Sequence, residues 1–264
     1  MSLSRPSALV TGASSGIGEV YAERLAARGY DLVLVARRAE RLEALSKKLL
    51  RTEGVGAHAI AADLTDPADL TRIEGFLASD NRISVLVNNA GNGKLGPTAA
   101  MSEDDMAATI ALNITAMTRL TRAVLPAFLA RNSGAIINVG SVMALHSLPI
   151  TSLYSGTKAF VLTFTRGLQE EVAGTGVRVQ AVLPAGTATE FYDQAGIPLS
   201  AFDPAVIMTT ENLVDAALAG FDRGETVTLP SVHDIGLWDA YDAARQTLFA
   251  ATQNGRPAPR YQPA

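Results

Sequence analysis

The stretch Thr11-Gly12-Ala13-Ser14-Ser15-Gly16-Ile17-Gly18 joins an apolar run, Ala8-Leu9-Val10, to a segment in which Ile17, Val20, Tyr21 and Leu25 recur on one helical face. A strand, a glycine-rich turn and a helix in direct succession leave few folds open. Glycine lets the backbone turn tightly and approach a bound group closely. The helix that follows directs unpaired N–H groups and its positive dipole end at that turn, an arrangement suited to phosphates. An ordinary turn also uses glycine, so the rest of the chain has to decide what this loop serves.

The pattern of strand then helix repeats down the chain. Asp31 to Ala36 reads as a second strand, apolar nearly throughout, as strands buried on both faces are. Leu42, Leu45 and Leu49 mark a helix that stops near Gly54, and Ala57 to Ala62 is a weaker third strand. Pro67 suits the first turn of a helix running to about Leu77. Ile83 to Val87 is the fourth strand. Ser102, followed by three acids, caps a helical region that continues, in one or two pieces, past Asn113 to about Ala130. Ala135 to Val139 is the fifth strand, Leu153 to Ala173 a long helix, Val177 to Leu183 the sixth strand and Thr226 to Leu229 a seventh. Such alternation predicts an α/β fold: a Rossmann-like, doubly wound parallel sheet of about seven strands with helices on both faces. With no repeat and no linker in view, residues 1–264 read as a single domain.

Composition excludes several functions. A net charge of −4 and a pI near 5.4 oppose nucleic-acid binding. The chain has no cysteine, and its three histidines, His58, His146 and His233, lie far apart, so no metal site is expected. No apolar run approaches the length of a membrane span, and the first residues form no signal sequence, so the expected location is cytoplasmic.

In an open α/β sheet, ligands bind beyond the carboxyl ends of the strands. The polar residues that stand out fall there: Asn88-Asn89-Ala90-Gly91 after the fourth strand, Ser141 after the fifth, Pro184 to Thr189 after the sixth. Tyr154 and Lys158 are four residues apart at the start of a helix and share a face. Spacing alone makes them an ordinary neighbour pair. The chemistry offers a reason for the pairing: a lysine cation one turn away favours the phenolate and should lower the phenol's pKa.

Tyr154-Ser-Gly-Thr-Lys158 resembles the Tyr-x-x-x-Lys signature of the short-chain dehydrogenase/reductase family. The glycine loop resembles that family's cofactor loop, and Ser141 lies thirteen residues before the tyrosine, the family's usual spacing. Asn113 in Leu-Asn-Ile matches the asparagine of the family's catalytic tetrad, Asn88 to Gly91 the motif beside the cofactor, and Asp63 the acid at the adenine ring. The match runs in order from Ala8 to about Thr189. It implies that Tyr154 gives a proton to a carbonyl oxygen and that Ser141 hydrogen-bonds the same oxygen. It implies that Lys158 holds the nicotinamide ribose and tunes Tyr154, and that Asn113 bends its helix and anchors a water in a proton relay to Lys158. The implied cofactor contacts are Gly12, Ser14, Ser15, Gly16, Ile17 and Gly18 in the loop, Asp63 and Leu64, Asn89, Ala90 and Gly91, Tyr154 and Lys158, and Pro184, Gly186, Thr187 and Thr189.

At the end of the second strand, where an acid would select NAD, the chain has Ala36 followed by Arg37-Arg38. Guanidinium groups pair with a 2′-phosphate, so NADP(H) is the expected cofactor and Arg37 its selector. Ala185 replaces the glycine that usually follows Pro184 in the family. Residues 190–210 are expected to form a substrate lid, with Phe191, Tyr192, Ile197, Leu199 and Phe202 as an apolar cover and Met143, Leu145 and Leu148 on the opposite wall. Residues 231–253 form a helical extension beyond the usual family end, packing on the protein's own lid or on a neighbour, and 254–264 a loose tail. The expected activity is NADPH-dependent interconversion of a carbonyl and a secondary alcohol, on a small-molecule substrate with an apolar portion, in a homodimer or homotetramer. Alternatives are an epimerase or dehydratase of the related extended family, and a nucleotide sensor of the same fold without turnover.

Overall fold

Seven strands form one sheet: β1 (Ser7–Thr11), β2 (Asp31–Ala36), β3 (Ala57–Ala61), β4 (Ile83–Asn88), β5 (Gly134–Val139), β6 (Val177–Val182) and β7 (Val227–Thr228). The computed structural model describes residues 5–261; the first four residues, and the last three of the expected tail, lie outside the described residues. All strand pairs are parallel, in the order β3-β2-β1-β4-β5-β6-β7. The strand order reverses between β1, which pairs with β2 on one side, and β4 on the other. A crevice opens at such a switch point, beyond the carboxyl ends of the strands.

Successive strand residues face opposite sides, and each side has its own core. On one face Val10, Leu34 and Val87 pack with α1 (Gly16–Ala27), α2 (Ala39–Glu53) and α8 (Thr210–Asp222). On the other, Leu9, Val33, Leu86 and Ile136 pack with α3 (Pro67–Ser79), α5 (Met117–Ala130) and α6 (Ser152–Glu171). The apolar stripes Leu42, Leu45, Leu49 and Leu70, Ile73, Leu77 are the buried sides of α2 and α3. Gly54 ends α2 with a left-handed φ of 64°, and Pro67 opens α3 behind an Asp66 cap.

Three elements differ from the sequence expectation. The region after the Ser102 cap is α4 (Glu103–Ile110), a π-helical turn (Ala111–Ala116) and α5, so Asn113 sits where the helix widens. Helix α8 was not anticipated, although Thr209 caps it and Leu213, Val214, Ala217 and Leu218 form its buried face. Only Val227 and Thr228 of the seventh strand are paired, because β7 is an edge strand touching β6 alone. The segment beyond Thr189 holds a short helix, α7 (Phe191–Ala195), and two 3-10 turns. It starts and ends side by side, through Met208 N–H to Gly186 O and Ala188 N–H to Met208 O.

The chain divides into two compact units, Met1–Pro230 and Ser231–Ala264. The first carries the whole sheet. The second carries α9 (Gly236–Ala251), none of whose residues is buried, and a 3-10 turn at Pro259–Tyr261 within the stretch expected to be a loose tail.

Candidate active site

The glycine loop stands at the carboxyl end of β1. Gly12 has φ of 67°, and a Cβ there would lie 2.7 Å from Asn89 Nδ2; a Cβ on Gly18 would lie 2.4 Å from Gly12 O. The loop is therefore folded back on itself and against the end of β4, with no room for side chains. Thr11 joins the two strand ends: its hydroxyl donates to Val87 O and accepts from the Asn89 and Ala90 N–H groups, both at 3.0 Å. The side chain of Asn89 donates to Thr11 O. Ser15, before the first turn of α1, has extended backbone and makes no side-chain cap. The first amides of α1 thus face the crevice, a cradle that fits a pyrophosphate.

A cavity of about 840 Å³ occupies the crevice. Gly12, Ser14, Ser15, Gly16 and Ile17 line it, with Asp63 and Leu64 after β3 and Asn89, Ala90 and Gly91 after β4. Ser141, Tyr154, Lys158, Pro184, Gly186, Thr187 and Thr189 complete that wall. Gly18 and Asn113 do not reach the cavity. One oxygen of Asp63 accepts from both the N–H and the hydroxyl of Thr65, which fixes the carboxylate beyond β3.

The Ser141 hydroxyl lies beside the Tyr154 phenol, where it favours the ionised form, and accepts from Met143 N–H. Lys158 is buried; its Nζ donates to Val139 O at 3.0 Å and stands 5.7 Å from the centre of the Tyr154 ring. Crowding by protein atoms, more than any charge, sets both ionisations. Burial pushes the Tyr154 phenol up to about 12, against the opposing influence of the nearby Ser141 hydroxyl. Burial likewise brings Lys158 down to about 8. The net shift therefore runs opposite to the lowering expected from the lysine, because burial of the phenol dominates.

Asn113 acts on the loop after β4. Its Oδ1 accepts from Asn92 N–H at 2.9 Å; its Nδ2 donates to Asn92 O at 2.8 Å and to Thr157 Oγ1 at 3.0 Å. Both amide hydrogens are committed, so the side chain is a strut for the loop after β4. Asn88 belongs to a buried chain of polar groups, donating to Thr121 and Asn138, and Asn138 donates to Thr165. That chain ties β4 and β5 to α5 and α6 behind the site.

The arginines divide unequally. Arg37 lines the cavity rim but is exposed. Arg38 lies across the glycine loop, its guanidinium donating to Ser14 Oγ at 3.0 Å and Ser15 Oγ at 2.6 Å. Its Nη1 also meets Glu190, as does Arg41 from the next turn, each at 2.6 Å. The roles of Arg41 and Glu190 were missed in the sequence, because Glu190 meets these arginines only in the folded chain.

At the other end the cavity is apolar. Leu95, Leu112, Met143, Leu148, Ile150, Phe191, Ile197 and Phe202 line it, with Tyr192 among them. Phe191 packs on Tyr154 with ring centres 5.4 Å apart, and Tyr192 on Phe202 at 5.0 Å. Leu145 and Leu199, both expected on these walls, are not among the lining residues. Leu95, Leu112 and Ile150 were not singled out from the sequence, where nothing distinguishes them from core.

The profile of the family described as short chain dehydrogenase matches residues 6–197. A very-long-chain 3-oxoacyl-CoA reductase of Danio rerio is 40% identical over 187 residues, 69% of this chain and 58% of that protein, so the chain spans under two thirds of that relative's length. Sulfoacetaldehyde reductase of Chromohalobacter salexigens is 40% identical over 190 residues, 69% of this chain and 72% of that one. Among solved structures, a short-chain dehydrogenase from Sphingobium yanoikuyae in complex with NADPH superposes with a TM-score of 0.94 at 47% identity, covering 97% of this chain and all of that one. The bulky-bulky ketone specific alcohol dehydrogenase of Comamonas testosteroni gives 0.90 at 41% identity, covering 98% and 99%. The seven-stranded parallel sheet, the glycine cradle and these matches agree: the chain belongs to the short-chain dehydrogenase/reductase family of oxidoreductases.

Proposed function

We propose that this oxidoreductase uses NADP(H) to interconvert a bulky, largely apolar ketone and its secondary alcohol. The observation that carries the reading is Ser141, Tyr154 and Lys158 together on the wall of the same cavity that the glycine loop lines. The loop and the first turn of α1 would hold the pyrophosphate, Asp63 the adenine, Lys158 the nicotinamide ribose, and Arg38 with Ser14 and Ser15 the 2′-phosphate. The cofactor held there would supply hydride chemistry at the carbonyl carbon. Ser141 donates a hydrogen bond to the carbonyl oxygen and supports the charge developing on it. Tyr154 gives that oxygen its phenolic proton, and the phenolate left behind is stabilised by Ser141 and the Lys158 cation. Oxidation of the alcohol reverses these steps. Asn113 positions the wall of the site by holding the backbone of Asn92.

Support for a bulky ketone comes from the aromatic and aliphatic end of the cavity and from the Comamonas testosteroni enzyme. The test is NADPH and NADH oxidation across aryl ketones, steroids, 3-oxoacyl thioesters and small polar aldehydes. Bulky apolar ketones with NADPH should give the highest kcat/KM. Tyr154→Phe removes only the hydroxyl and should lower kcat by at least about 10²-fold while NADPH still binds. Preference for small polar aldehydes would defeat the substrate reading, near-normal turnover in Tyr154→Phe the mechanism, and NADPH binding without turnover on any carbonyl would mark a sensor.

A further inference from the structure

Glu190 is the first residue of the segment that covers the apolar end of the cavity, yet its carboxylate points the other way. One oxygen accepts from Arg38 and the other from Arg41, each at 2.6 Å. Arg38 and Arg41 are three residues apart at the start of α2 and share a face. The same Arg38 guanidinium donates to Ser14 and Ser15 in the glycine loop. Two guanidinium groups beside loop hydroxyls form a site for a dianion, and a carboxylate of the chain itself fills it. The next residue, Phe191, lies against Tyr154, and Thr189, one residue earlier, abuts the glycine loop, where a Cβ on Gly16 would lie 3.2 Å from Thr189 Cγ2. Three consecutive residues therefore touch the phosphate loop, the arginine pair and the tyrosine.

We infer that Glu190 is a specificity-determining residue, an internal rival of the cofactor's 2′-phosphate that latches the lid to Arg38 and Arg41 until that phosphate displaces it. The inference rests on the NADP(H) reading above. A phosphate dianion offers more charge and more acceptor oxygens than a carboxylate and wins the arginines; the released Glu190 frees α7, and with it the Phe191 ring beside Tyr154. A cofactor with a free 2′-hydroxyl lacks the charge to displace Glu190 and leaves the lid latched. Discrimination between the two cofactors is then exerted on lid position as well as on affinity.

Adenosine 2′,5′-bisphosphate and 5′-AMP are suitable probes, since they differ only in the 2′-phosphate and carry no reacting group. Calorimetry gives their affinities for the wild-type chain and for Glu190→Gln, and amide hydrogen exchange follows residues 191–208. The bisphosphate should bind the wild type more tightly than 5′-AMP and speed exchange in the lid, while 5′-AMP leaves exchange unchanged. Glu190→Gln should bind the bisphosphate about threefold or more tightly than the wild type, with 5′-AMP unaltered. Its lid should exchange fast from the start, and the bisphosphate should add nothing. A wild type that prefers the bisphosphate, combined with a variant that binds it no more tightly or a lid that does not respond, overturns the latch alone. If neither protein distinguishes the two nucleotides, the NADP(H) reading falls with it.

Discussion

Lys158 shows what the site demands of single residues. Its ammonium is buried with one carbonyl partner, Val139 O, and burial brings its pKa down to about 8 from an ordinary 10.5. Between those values the unfolded chain binds the proton more readily than the folded one, so this group's contribution to stability rises with pH across about 8 to 10.5. Below that window the buried charge costs about 3 kcal/mol. Lys158→Met removes the charge and leaves Val139 O without its donor, which returns about 1 kcal/mol of cost. The variant should be more stable than the wild type at pH 7, by about 1–2 kcal/mol, with the difference shrinking toward pH 10, and it should have lost activity. Thermal melts at both pH values check this; a destabilised variant at pH 7 would show that the lysine is well paired. In the wild type, ketone reduction should decline above about pH 8 as Lys158 loses its charge, although Tyr154, near 12, remains protonated. At this scale the sequence was informative where residues lie close along the chain. Tyr154 and Lys158 share a helical turn, and the loop glycines are contiguous. The sign of the tyrosine shift was not legible, since spacing reports the neighbouring cation and says nothing of how deeply both groups are buried.

Among elements, strands and capped helices were readable because periodicity and caps are local. Ser102 caps α4 through Asp105 N–H, and Asp66 with Pro67 opens α3, as their residue types require. The π turn around Asn113 and the course of the lid depend on distant contacts, and no local pattern marks them. Gly93, between β4 and α4, is such a contact. A Cβ there would lie 2.7 Å from both Phe191 Cζ and Tyr154 Cδ2. The tip of Phe191 can swing away, whereas Tyr154 is held on the rigid helix α6. Gly93→Ala should therefore displace the lid ring and strain the tyrosine together. A displacement of this size in the proposed proton donor should lower kcat by about tenfold or more. Cofactor affinity should hold, since the glycine loop and Arg38 are untouched. Steady-state kinetics beside NADP⁺ titration separates the two, and an unchanged kcat would mean that the loop after β4 yields freely.

For the whole molecule, the sheet order follows from right-handed crossovers between strands that read as buried on both faces, which is why the fold and the position of its crevice could be foreseen. The pairing of Glu190 with Arg38 could not, as 152 residues separate them. Association is the remaining property at this scale. The outer side of α6 carries Phe160, 37% exposed, stacked on Phe164 with ring centres 5.8 Å apart and planes within 10°. Leu129 on α5 is 41% exposed. Large side chains left open on these two helices make a self-complementary contact the expected outcome, each copy using the same face. A stable contact of this kind buries roughly 1,600 Å² in total, and aromatic groups near its centre carry much of the energy. Light scattering after gel filtration at micromolar concentration should give twice 27.6 kDa or a higher even multiple. Phe160→Glu places a charge at the proposed centre, on a residue outside the cavity lining. It should shift the protein toward a monomer with its far-UV circular dichroism unchanged, because Phe160 contributes little to the core. A wild-type chain that runs as a clean monomer would remove the proposal, and a dimer indifferent to Phe160→Glu would move the contact to another face.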